Sequence, residues 1–205
     1  MGKLGLRERP KDTPGKQACA AVGQCELMYL YDNLFAEYSI TVAQMLLTKY
    51  ILLEDRRKNV ENAMERLIAH GVIPIINEND TVAIDELELE VGENDSLAAT
   101  VAAIAKADLL IIMSDIDGLY DKDPHTYDDA RLIPVVHEIT DDIRALAGGA
   151  GTKLGTGGMI TKLNAVEIAY DSDIDVVLMN GQHPKTLYDL FDGKTVGTFF
   201  CKKPD

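Results

Sequence analysis

Basic residues are scarce in this chain. Twenty lysines and arginines face 34 aspartates and glutamates, for a net charge of -14. That balance argues against nucleic acid or an anionic membrane as partner. There is no signal peptide and no apolar run of membrane-spanning length. The three cysteines, Cys19, Cys25 and Cys201, form no Cys-x-x-Cys pair and leave an odd one out. Reduced thiols in a cytoplasmic protein are the simplest account. Four scattered histidines offer no metal-ligand spacing, so no resident metal site is assigned. The one Gly-Lys-Thr string, Gly193–Thr195, has Tyr188 where the common P-loop needs its first glycine, so that motif is excluded. The hydrophobic fraction, 46%, is sufficient for a core, so the chain is not disordered.

The most informative segment runs from Gly148 to Lys162. Six glycines lie between Gly148 and Gly158. Glycine buries no side chain and costs chain entropy to order, so it is chosen where the backbone bends or meets a ligand closely. Met159, Leu163, Val166 and Tyr170 then share one face of an amphipathic helix. A glycine-rich turn entering a helix N-terminus presents unpaired N–H groups and the positive end of a dipole. Thr161 and Lys162 add a hydroxyl and a positive charge in the first turn. Phosphate is the guest such a turn suits. A flexible linker is the plain alternative, but linkers lack the embedded threonines, lysine and methionine found here.

Elsewhere, strand-like and helix-like segments alternate. Helices are expected at 17–38, 54–69, 95–106, from Met159 and from Pro184. Strands are expected at 40–47, 72–76, 109–113, 174–179 and 196–200. Short, fully apolar strands between helices imply a mostly parallel sheet covered on both faces. Ligands then bind beyond the carboxyl ends of the strands. Three loops are singled out, after Ile76, Met113 and Met179. The first reads Asn77-Glu78-Asn79-Asp80-Thr81, with four polar residues directly off a buried strand; a capping or Asx-turn cluster is the alternative. In the second, Ser114 and Asp115 stand at the strand terminus, while Asp117-Gly118 is a turn signal. Asp95 or Asn94 caps the alanine-rich helix.

Four ordered segments together resemble the glutamate 5-kinases of the amino acid kinase superfamily. They are Val72–Asp80, Glu93–Ala99, Ser114–Tyr120 and Gly155–Leu163, and Lys16–Gln24 also fits. The resemblance implies a three-layer α/β/α sandwich with a mostly parallel central sheet. Residues 1–106 would be the remainder of an acceptor-substrate lobe, and 107–205 a nucleotide lobe. It implies ATP-dependent phosphorylation of the glutamate γ-carboxylate, in proline biosynthesis, with Mg²⁺. Asp80, Asn94 and Asn77 would bind glutamate, the Asn77 loop also bearing on feedback inhibition by proline. Ser114, Asp115, Thr156, Gly157, Gly158, Met159, Ile160, Thr161 and Lys162 would hold the nucleotide. Lys162 would stabilise charge on the moving phosphoryl group, and Asp95 would orient catalytic lysines. Homo-oligomerisation and coupling to a γ-glutamyl phosphate reductase are implied as well.

The family pattern opens with a strand, a Lys-Gly-Ser/Thr phosphate loop and a Ser-Gly-rich substrate loop, none of which occurs here. Met1–Leu6 resembles the family just after them. The domain is therefore expected to be N-terminally incomplete, and a catalytically dead binding module is one alternative. Related kinases acting on aspartate, N-acetylglutamate, carbamate or a nucleoside monophosphate are another. The Asn-Glu-Asn-Asp loop favours glutamate.

Overall fold

The computed structural model describes residues 2–48, 54–82, 94–148 and 158–202. By packing, the chain forms two compact units, Met1–Leu89 and Glu90–Asp205.

In the first unit, α1 spans Thr13–Ala36. Asp12 caps it by accepting a hydrogen bond from the Gly15 N–H, and Pro14 sits at the helix start, where its missing N–H costs nothing. Strand β1 (Val42–Leu47) pairs in parallel with β2 (Ile73–Glu78). Between them, α2 (Glu54–Ala69) carries Val60, Met64 and Leu67 at helical spacing, and Met64 is buried. Gly71, at φ +70, turns the chain from α2 into β2.

Strand β2 outruns its expected end. Asn77 and Glu78, expected in a loop, complete the strand and pair with Leu46 and Leu47. Their polar side chains hide the strand from a pattern based on apolar runs.

The second unit holds a four-stranded sheet in the order β3-β5-β6-β4. Its strands are β3 (Leu109–Ser114), β4 (Val135–Val136), β5 (Asp175–Asn180) and β6 (Thr198–Phe200). The β3–β5 and β4–β6 pairs are parallel, and β5–β6 is antiparallel. Val176 to Met179 are at most 1% exposed, because β5 is covered on both faces and paired on both edges.

Helix α3 (Asn94–Ala105) packs on α5 (Met159–Tyr170). Ala99 and Ala102 on α3 meet a core that includes Ala165 and Ala169 of α5, and these small residues let the helix axes approach. The face of α5 expected from periodicity forms: Leu163, Val166 and Tyr170 are buried. Helix α4 (Asp141–Gly148) leans on α5, and α6 (Thr186–Phe191) precedes β6. Neither β4 nor α4 was expected, since two valines and one turn-rich stretch carry little periodic signal.

Candidate active site

Helices α3 and α5 bring two candidate residues together at their first turns. The Lys162 ammonium donates to Oδ2 of Asp95 at 3.0 Å. Their side chains are 12% and 22% exposed, so the pair is largely sheltered. The Thr161 hydroxyl faces Asp95 Oδ2 at 3.3 Å and the Gly158 carbonyl at 2.8 Å. It has one proton to give, and the shorter contact takes it. Asp95 also favours the N-terminus of α3 electrostatically. Asn94 opens α3 and is exposed.

At the mouth of α5, Gly158 has φ -72 and no side-chain cap. A Cβ added there would meet nothing within 4 Å. Among the described residues, neither conformation nor packing demands glycine at this point. Open space beside uncapped first-turn N–H groups is what a bulky anion needs. Met159 and Ile160 supply the first of those groups. Thr156 and Gly157 lie outside the described residues.

The ends of β3 and β5 are tied to each other. The Gly181 N–H donates to the Ser114 carbonyl at 2.7 Å. The Asn180 amide donates to Asp117 Oδ1 at 2.7 Å, and its oxygen accepts from the Gln182 N–H at 2.8 Å. The Ser114 hydroxyl donates to Asp115 Oδ1 at 3.1 Å. Tyr120 donates to Asp117 Oδ2 at 3.1 Å; burial first, and this carboxylate second, raise its hydroxyl above the usual phenol range. Asp117 and Asn180 were not among the candidate residues. The rule that ligands sit beyond carboxyl strand ends had marked the Asn180 loop, but no motif distinguished it.

In the first unit, both polar atoms of the Asn77 side chain are hydrogen-bonded. Its amide donates to Gln24 Oε1 at 3.2 Å, and its oxygen accepts from the Glu78 N–H at 3.0 Å. It thereby anchors the end of β2 to α1. Asp80 follows in an exposed turn closed by the Val82 N–H to the Asn79 carbonyl at 3.0 Å.

A cavity of about 470 Å³ lies elsewhere, lined by His137, Glu138, Tyr170 and Lys202 among others. It is at the last turn of α5, the end remote from Lys162. Among the described residues, no group of three or more His, Cys, Asp or Glu could hold a metal ion, and no helix is long and apolar enough to cross a membrane.

An uncapped helix start with a sheltered lysine in its first turn, in an α/β fold, is what a phosphate-handling protein requires. The Amino acid kinase family profile matches residues 2–180. The chain belongs to that family and, within it, to the branch of the glutamate 5-kinases. It is 49% identical over 206 residues to "Glutamate 5-kinase" of Clostridium perfringens, covering 99% of this chain and 77% of that protein. The protein of the same name from Clostridium tetani is 52% identical over 201 residues, covering 98% of this chain and 74% of that one. Among solved structures, carbamate kinase from Giardia lamblia bound to AMP-PNP aligns with a TM-score of 0.63 at 16% identity, over 98% of this chain and 78% of that one. That likeness establishes the fold.

Proposed function

We propose that this chain carries the chemistry of ATP-dependent phosphorylation of L-glutamate on its γ-carboxylate, yielding γ-glutamyl phosphate for proline biosynthesis in the cytoplasm. The observation that supports this most is the Lys162–Asp95 pair at the mouth of α5, in a chain about half identical to glutamate 5-kinases.

Phosphoryl transfer leaves a protein little covalent work; it aligns donor and acceptor and neutralises charge. A carboxylate acceptor is already nucleophilic, so no general base is required. The first-turn N–H groups of α5, with Thr161, receive the nucleotide phosphates. Lys162 offsets charge as the phosphoryl group moves, and Asp95 holds that ammonium in place. Ser114, Asp115, Thr156 and Gly157 complete the nucleotide site in this reading. Asp80 and Asn94 take the glutamate, with Asn77 supporting their loop. Mg²⁺ fits without a cluster of protein ligands, since this ion commonly sits on phosphate oxygens with one or two carboxylates. When bound it would supply charge neutralisation at the phosphates. Residues 1–106 serve as the acceptor lobe and 107–205 as the nucleotide lobe, although by packing α3 joins α5. Feedback inhibition by proline, self-association and delivery of the labile acyl phosphate to a reductase belong to the same reading.

The test traps the product with hydroxylamine. It is run on this chain alone and on the chain joined to the strand and Lys-Gly-Ser/Thr loop that open the family pattern. Hydroxamate dependent on both ATP and glutamate is expected from the joined form, with little from the chain alone. Turnover by the joined form on another acid, but not on glutamate, would overturn the reading.

A further inference from the structure

The hydrogen bond between Asn77 and Gln24 fixes which way each amide points. Only an oxygen can accept from the Glu78 N–H, so the Asn77 oxygen faces it at 3.0 Å. The Asn77 nitrogen then lies on the other side, and an amide nitrogen only donates. The Gln24 atom that it meets at 3.2 Å is therefore the oxygen. Gln24 Nε2 is left over. It is shut off from solvent and has no hydrogen-bond partner among the described residues.

A buried donor without an acceptor weakens a fold, and native structures hold few of them. If stability were the sole demand, a pair of apolar side chains at 24 and 77 would serve as well or better. Both positions carry amides instead. Glutamine at 24 follows from what the Asn77 nitrogen requires, which is an uncharged oxygen on a side chain long enough to reach from α1. Glutamine supplies that oxygen, and the unused nitrogen comes with it. Glutamate would bring a negative charge to the end of β2, where an anionic acceptor is to be received.

The residues after Asn77 give the contact a use. Asn77 pairs with Leu46 within β2, and the Asn79 N–H donates to the Leu47 carbonyl at 2.7 Å. The exposed Asp80 follows directly. Pairing with β1 holds the backbone here, while Gln24 holds a side chain from a different element. Together they restrict where the Asp80 turn can go.

We propose that Gln24 is a positioning residue of the acceptor site. It acts through Asn77 to set the turn that carries Asp80, at some loss of stability. The proposal rests on the acceptor role given above to Asp80 and Asn77. It goes beyond that role by assigning the geometry of the turn to a helix residue that touches no substrate.

The experiment uses Gln24→Met, which keeps the length of the side chain and removes both amide atoms. Hydrogen exchange on this chain, without substrates, should become faster over residues 78–82 and stay unchanged in α1. The urea midpoint should not fall, because the stranded donor is gone. In the joined form, KM for glutamate should rise roughly tenfold, about the worth of one hydrogen bond, with kcat and KM for ATP nearly unchanged. Asn77→Ala should also raise KM for glutamate, and adding Gln24→Met to it should raise KM no further, since the two act as one unit. Unchanged exchange over residues 78–82 would overturn the proposal. So would additive effects in the double variant, or a fall in stability with equal damage to both substrates, which is what a plain packing role gives. Turnover of a different acid would defeat the functional reading alone; exchange, and KM for that acid, would still judge Gln24.

Discussion

Lys162 and Asp95 stand 67 positions apart in sequence, and their side chains meet at 3.0 Å. The contact joins the first turn of α5 to the first turn of α3. A lysine has a long, freely rotating stem. A sheltered carboxylate at this distance restricts where its ammonium can go, and leaves two of its three N–H donors for a phosphate.

Lys162→Ala should therefore lower kcat far more than it weakens ATP binding. The loss of one positioned charge costs roughly 3–4 kcal/mol of barrier, by analogy with loss of one oxyanion donor. Asp95→Asn keeps a hydrogen-bond acceptor but loses the charge, and should cost less. Steady-state kinetics on the joined form decide the matter. A near-normal kcat for Lys162→Ala would reduce the pair to a structural bridge between helices.

Asp80 is exposed in a turn, whereas Asn77 beside it is held on both amide atoms. Asp80→Ala should raise KM for glutamate, whose ammonium an aspartate can pair with, and leave KM for ATP nearly unchanged. Equal loss for both substrates would point to misfolding or a misplaced acceptor site.

Two glycines should respond oppositely to alanine. Gly197 has φ +66, and a Cβ there would lie 2.1 Å from the Leu178 carbonyl oxygen. Gly197→Ala should destabilise the protein by about 3 kcal/mol or more, through strain and forced displacement of β5. Gly158→Ala should leave the urea midpoint unchanged, since its conformation is ordinary and no described residue lies within 4 Å of the added Cβ. It should instead raise KM for ATP. An unfolded Gly158→Ala would show that this glycine serves the fold.

Thr198 is fully buried. Its hydroxyl donates to the Ile133 carbonyl at 2.7 Å and accepts from the Leu119 N–H at 2.8 Å. Valine has the same shape and satisfies neither group. Thr198→Val should cost about 2–3 kcal/mol in urea unfolding, the penalty for stranding buried polar atoms. Thr198→Ser, which retains the oxygen, should cost less.

Much of the fold was legible in the sequence because it is periodic. The α5 face through Leu163 and Val166, and the apolar runs of β3 and β5, follow directly from side-chain spacing. Strand β4 was not legible, because Val135–Val136 is held by pairing with Phe199 and Phe200, 64 positions away. The α5 part of the candidate site was visible as a local motif. The Asp117–Asn180 tie was not, since each residue alone reads as a turn former. The engagement of Asn77 by Gln24 was hidden for the same reason: it depends on which helix lies over β2.

Strand β6 has a consequence for synthesis. It stands between β5 and β4, and Thr198 and Phe200 are fully buried. Until residues 198–200 emerge from the ribosome, β5 has an open edge, β4 has no neighbour, and the Leu119 and Ile133 backbones lack their shared hydroxyl. The nascent second unit should remain accessible to proteases and chaperones until these residues arrive, then close in a single step. Ribosome-stalled chains ending before Thr198 should stay protease-sensitive over residues 94–148 and 158–180, and chains with Phe200 clear of the exit tunnel should become resistant there.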